Sequence, residues 1–187
     1  MRFSFAFAMA LLCATPTALA QSVSGTDPGV FAGEARRIYA EQLKSARALI
    51  GQKQFTEAIA ILDRLTTDRP REPQARFLKG VALTDSDKLD EAITTFRGVL
   101  ADFPELPEPH NNLAVLYARK GEYELARIEL EAAIKAAPDY GVAYENLGDV
   151  YARLAAQNYE RAVARDSRNK TAPAKLKVVR DLLASKP

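Results

Sequence analysis

The sequence predicts an all-α solenoid built from antiparallel helix pairs. Three observations predict it. Prolines recur at Pro70, Pro104 and Pro138, 34 residues apart, each just past an amphipathic stretch that it closes. In the same register, alanines fall at Ala58, Ala92 and Ala126, and large apolar residues at Phe55, Leu89 and Tyr123 and at Leu62, Phe96 and Leu130. Small residues recur at Ala46, Gly80, Ala114 and Gly148, and two helices approach closely only where side chains at the crossing are small.

Taken from the start, residues 1–20 read as a secretory leader. Arg2 gives a short basic start, Phe5 to Ala14 is apolar, Pro16 breaks the run, and Ala18-Leu-Ala20 supplies the small residues before a cut ahead of Gln21. The apolar run is shorter than the ~20 residues of a spanning helix, so no membrane span is expected once the leader is removed. An uncleaved anchor in the inner membrane is the alternative. Leu11 and Leu12 stand where small residues would precede a lipidated cysteine, which argues against lipidation at Cys13. Residues 21–34, with Gly25, Pro28, Gly29 and Gly33, read as a flexible spacer.

The array occupies residues 35–170, with units at about 39–72, 73–106, 107–140 and a truncated 141–166. Each of the first three reads as two helices joined by a short turn: Gly51 to Phe55, Asp85 to Leu89 and Arg119 to Tyr123. Pro107 and Pro109 sit at the entry to a helix, where a missing N–H costs nothing.

The fourth unit has lost its turn. First-helix residues Tyr144, Asn146, Leu147, Gly148 and Tyr151 are followed by second-helix residues Ala155, Tyr159 and Ala162, five positions early. No Gly, Pro, Asp or Asn lies between Val150 and Ala156, and the apolar spacing stays helical, which predicts one unbroken helix from Val142 to Arg165. A last helix from Thr171 to Ala184 carries Leu176, Val179 and Leu183 on one face. Two readings stand for this end. It caps the core, as repeat arrays require, or the overhanging helix docks a second subunit.

The segment Asn112-Leu-Ala-Val-Leu-Tyr-Ala-Arg-Lys-Gly-Glu-Tyr-Glu-Leu-Ala126, closing at Pro138, resembles the tetratricopeptide repeat, and the resemblance spans about residues 39–165. The first unit departs most, with Gln42 and Ser45 where bulkier residues are usual. Phe77 to Leu83, Pro104 to Tyr117 and Glu145 to Ala152 are similar, more narrowly, to a group of exported proteobacterial repeat proteins. The resemblance implies about three and a half repeats whose first helices line a concave groove that binds a partner. It directs Leu43, Phe77, Leu78 and Val81 to the groove from the first two units, Asn111, Asn112, Val115 and Arg119 from the third, and Asn146, Asp149 and Arg153 from the fourth.

Asn112 and Asn146 are 34 apart at helix-interior sites where asparagine is a poor helix former. A carboxamide matches both the C=O and the N–H of a peptide, so the pair would grip an extended backbone. The other reading has them bond a neighbouring helix within the scaffold. The family's clamp for a C-terminal carboxylate does not carry over, since Asn111 and Glu145 stand where it would want other chemistry.

Catalysis finds little to work with. The single histidine, His110, sits at a helix start and reads as packed between paired helices, and the single cysteine leaves with the leader. No second histidine builds a zinc site, no serine has an elbow or a base, and Asp85-Ser-Asp-Lys-Leu-Asp90 lacks the glycine and distal glutamate of a calcium loop. No cofactor and no metal site are expected. A net charge of +2 argues against nucleic acid as a partner. The expectation is an exported, non-catalytic scaffold in the periplasm that binds another envelope protein through the groove. The alternative is a homodimer or assembly factor that uses the fused helix.

Overall fold

The computed structural model describes residues 28–185. The leader at 1–20 and the spacer as far as residue 27 lie outside the described residues. Those described form eight helices and no strand: α1 (Pro28–Gly51), α2 (Phe55–Asp68), α3 (Pro73–Asp85), α4 (Leu89–Asp102), α5 (Pro107–Arg119), α6 (Tyr123–Ala136), α7 (Gly141–Arg165) and α8 (Ala172–Ala184). The array, from Arg37 on, belongs to one unit, and the described residues before Arg37 lie outside it.

The spacer reading fails from residue 28 on. Residues 28–34 are the opening of α1. Proline fits the first turn of a helix, and glycine at Gly29 and Gly33 costs about 1 kcal/mol each rather than forbidding one.

Each of the three regular hairpins turns in the same way. Lys53, Asp87 and Gly121, again 34 apart, adopt the left-handed conformation with φ of 61°, 63° and 77°. The next N–H then reaches back five residues: Gln54 to the Leu49 carbonyl, Lys88 to Leu83 and Glu122 to Tyr117, each at 2.9 Å. This is the Schellman closure of a helix. The residue in that register in the fourth unit is Ala155, which lies inside α7. Gly141–Arg165 is therefore a single helix of 25 residues, one residue longer at its start than the periodicity predicts.

Burial follows the repeat. Ala58, Leu62, Ala92, Phe96, Ala126, Leu130 and Ala133 are fully buried. Leu43 and Leu78 join Tyr39, Ala46, Leu62, Leu65 and Ala75 in one core cluster, so both are core residues rather than groove residues. At Gly80 the packing is so close that a Cβ would stand 2.6 Å from the Phe96 ring. At Gly148, the same position two units on, a Cβ would meet nothing within 4 Å, because no second helix folds back over it. Helix α8 packs instead on the far half of α7. It buries Ala172 and Leu176, pairs Arg180 with Glu160 at 2.7 Å and sets Lys175 5.9 Å from the Tyr159 ring centre.

Candidate binding groove

The first helices α3, α5 and α7 carry the predicted groove residues, and the structure divides them. A cleft of about 400 Å³ opens between the later turns of α5 and α7, floored by α6. Val115, Arg119, Asn146, Asp149 and Arg153 line it, together with Ala114, Ala118, Tyr123, Leu130 and Val150. A second cleft, of about 210 Å³, takes Phe77 with Arg47, Pro73, Gln74, Leu106, Glu108 and Pro109. Val81 is half-buried and packs against the core instead. Phe77 leans on that core too, its ring 5.7 Å from Phe96 and tilted by 58°.

The paired-asparagine grip does not assemble. Asn112 Nδ2 donates to the Glu108 carbonyl one turn back in its own helix, at 2.8 Å, and Asn112 is not among the residues lining the cleft. Asn146 does line it. Its Nδ2 donates to Oδ1 of Asn111, 2.8 Å away on α5, and Asn111 is itself buried. The asymmetry has a simple source: Asn146 finds an amide 35 residues earlier, whereas the residue 35 before Asn112 is Phe77, which accepts nothing. Asn146 keeps its Oδ1 and one N–H for the cleft.

The charges differ in availability. Arg119 is held from outside, donating to Asp87 at 2.7 Å and to the Thr84 carbonyl at 3.5 Å. Arg153 lies 5.7 Å from the Tyr123 ring centre and, like Asp149, has no hydrogen bond or ion pair among the described residues. The cleft thus presents an apolar floor, one tethered cation, and an unpaired cation and anion one helical turn apart. Ala114, Ala118, Tyr123, Leu130 and Val150 line the cleft without having been expected there, and of these Tyr123 alone carries a polar group. It stands in register with Phe55 and Leu89, and its phenol is the only signal that set it apart.

Two profiles described as tetratricopeptide repeat match the chain, one over residues 43–107 and the other over 83–148. The chain belongs to the tetratricopeptide repeat family. Among its curated relatives is the TPR repeat-containing thioredoxin TTL4 of Arabidopsis thaliana, 34% identical over 91 residues. That match takes in 48% of this chain but 13% of the relative. Among solved structures, the tetratricopeptide protein YrrB, whose peptide-binding site is called unusual, is 28% identical, with a TM-score of 0.52 over 57% of this chain and 55% of that one. The Sgt2 tetratricopeptide domain of Aspergillus fumigatus shares the fold at 15% identity, with a TM-score of 0.60 over 64% and 81%. The chain thus spans about half of YrrB and a small part of the thioredoxin.

His110 is a further polar feature of this tetratricopeptide array. Its Nδ1 lies 2.7 Å from a Glu129 oxygen of α6, and its Nε2 lies 3.3 Å from the Pro104 carbonyl. The Glu129 carboxylate holds the imidazole pKa above its ordinary value, against a smaller opposing effect of burial. The histidine joins α5 to α6 and is not among the residues lining the 400 Å³ cleft. Among the described residues no His, Cys, Asp or Glu side chains gather as a metal-binding group, and no helix is long and apolar enough to cross a membrane.

Proposed function

We propose that this chain is an exported scaffold that binds an extended segment of an envelope protein in the cleft between α5 and α7. One observation carries the reading: Asp149 and Arg153 line an open cleft of about 400 Å³, and neither side chain has a hydrogen-bond or ion-pair partner among the described residues. The free amide edge of Asn146 would bond the ligand backbone, the charged pair would bond polar side chains, and Val115 and Tyr123 would take apolar ones. The peptide-binding site named for YrrB supports a peptide as the class of ligand. Export rests on the basic, apolar and small-residue pattern of residues 1–20. A second copy of the chain is the other partner that the fold suits, and the face for it lies elsewhere on α7.

A groove of this size suits affinities near ~1 μM, about −8 kcal/mol. The test is affinity capture from native envelope extract, with chain beginning at Gln21 beside an Asp149→Ala, Arg153→Ala variant of equal helicity. Partners held by the first and released by the second are expected, at a loss of roughly 1–3 kcal/mol for the charged hydrogen bonds. Equal capture by both baits overturns the groove reading.

A further inference from the structure

Helix α7 joins on one rod two half-faces that a regular repeat keeps on separate helices. In α3 and α4 the halves meet, with the Phe96 ring of the second helix laid over Gly80 of the first. In α7, Tyr144, Gly148 and Tyr151 stand in first-helix register and Ala155, Tyr159 and Ala162 in second-helix register. Their spacings of 4, 3, 4, 4 and 3 residues align them in a single uncharged stripe. The first half of the stripe is half exposed: Tyr144 is 51% and Tyr151 48% exposed, the Tyr151 phenol donating to Glu131 of α6 at 3.3 Å, and Gly148 has open space before it. The second half is only partly covered by α8.

Each half of this stripe is the packing complement of the other. A helix cannot satisfy that complement by itself, but the same helix running the opposite way satisfies it twice. We propose that the stripe binds a second copy of the chain. The two α7 helices would lie antiparallel about a two-fold axis near Arg153, and Tyr159 of each copy would seat over Gly148 of the other. That contact reproduces Phe96 on Gly80. Such an isologous interface closes on itself, and shortening a turn is a known route to exchanged elements.

Charge agrees with the antiparallel sense. From Gly141 to Ala152 the ionised residues of α7 are Glu145 and Asp149; from Arg153 on they are Arg153, Arg161, Arg165 and a Glu160 already held by Arg180. Of these, Asp149 and Arg153 lie on the groove side, so charge biases the antiparallel sense only at long range, through Glu145 in one half and Arg161 and Arg165 in the other, and sets no ion pair across the stripe. Helix α6 also exposes apolar side chains. Its Leu125 and Ile128 are 42% and 50% exposed, at positions where α4 carries Glu91 and Thr94. The groove is not involved, because Asn146, Asp149 and Arg153 point roughly 120–180° away around the helix at 100° per residue.

The test is sedimentation equilibrium of the full chain at about 100 μM, wild type beside Gly148→Leu. A Cβ at Gly148 meets nothing within the chain, so the variant keeps its fold, checked by helicity. The expected result is a two-chain mass for wild type and association weakened by about tenfold or more in the variant. In a Cys13→Ser background, Gly148→Cys with Tyr159→Cys is expected to form a disulfide between chains under oxidation. A wild-type monomer overturns the proposal and leaves the stripe to a helix of another protein. Equal association of Gly148→Leu, or no disulfide between chains, overturns the seating on Gly148.

Discussion

The second and fourth repeats share their first-helix signature and differ in what that signature meets. In α3, Gly80 lies under Phe96 in a core with no space for one more carbon. In α7, Gly148 occupies the same register and faces solvent. Side chains therefore do not determine their own burial. The hairpin turn does, by bringing the second helix back over the first, and five missing residues undo it. The comparison also separates two meanings of a small residue in a helix: a demand for close approach in one place, and a vacant seat in the other.

The largest effect that would break this contrast is the removal of the seated ring. Phe96→Ala is expected to cost about 3–5 kcal/mol in urea unfolding, because Phe96 is fully buried. Tyr159→Ala, in the same role in the fourth unit, should cost ~1 kcal/mol or less in dilute solution, since the transfer term scales with the area it buries.

Adding a methyl group comes next and has opposite signs in the two places. Gly80→Ala forces the Phe96 ring to move and should lose about 1–2 kcal/mol, overpacking outweighing the gain in helix propensity. Gly148→Ala adds only that propensity and should stabilise the dilute chain by about 0.5–1 kcal/mol. Equal effects of the two substitutions would show that α7 is covered in solution even at low concentration.

The smallest effect concerns a hairpin that kept its turn. His110 on α5 is bonded to Glu129 on α6, which raises its pKa in the folded chain above the ordinary 6.5. A group whose folded pKa is raised lends its full stability below the unfolded pKa and loses it as pH climbs through the folded one. The stability difference between wild type and His110→Gln should therefore be greatest in mild acid and shrink on the alkaline side of 6.5. A difference that grows with pH would mean that the imidazole is held neutral.

The array was legible because its period is long and marked by residues with one physical use each. Pro70, Pro104 and Pro138 end second helices, and Ala58, Ala92 and Ala126 sit fully buried where helices cross. The turnless α7 was legible for a complementary reason, since a turn needs residues that tolerate it and Val150 to Ala156 offers none. The start of α1 was not legible. Gly and Pro mark both spacers and helix openings, so their presence does not choose between them. In the groove, the family resemblance directed Asn146, Asp149, Arg153, Val115 and Arg119 to positions that line one cleft. The 34-residue spacing that paired Asn112 with Asn146 does not carry to their contacts, because a period says which positions are equivalent and not which neighbour holds a hydrogen bond. One amide at Asn111 decides that matter for Asn146, and Phe77 decides it the other way for Asn112.

The lost turn also governs where such a protein can lengthen over generations. Helices begin at Pro73, Pro107 and Gly141, so a 34-residue unit duplicated anywhere ahead of α7 would find a matching surface above and below it. A unit added behind α7 would find no second helix to stack on and the flank of a long rod instead. Growth by duplication is open on one side and shut on the other, and a deletion of five codons is enough to shut it.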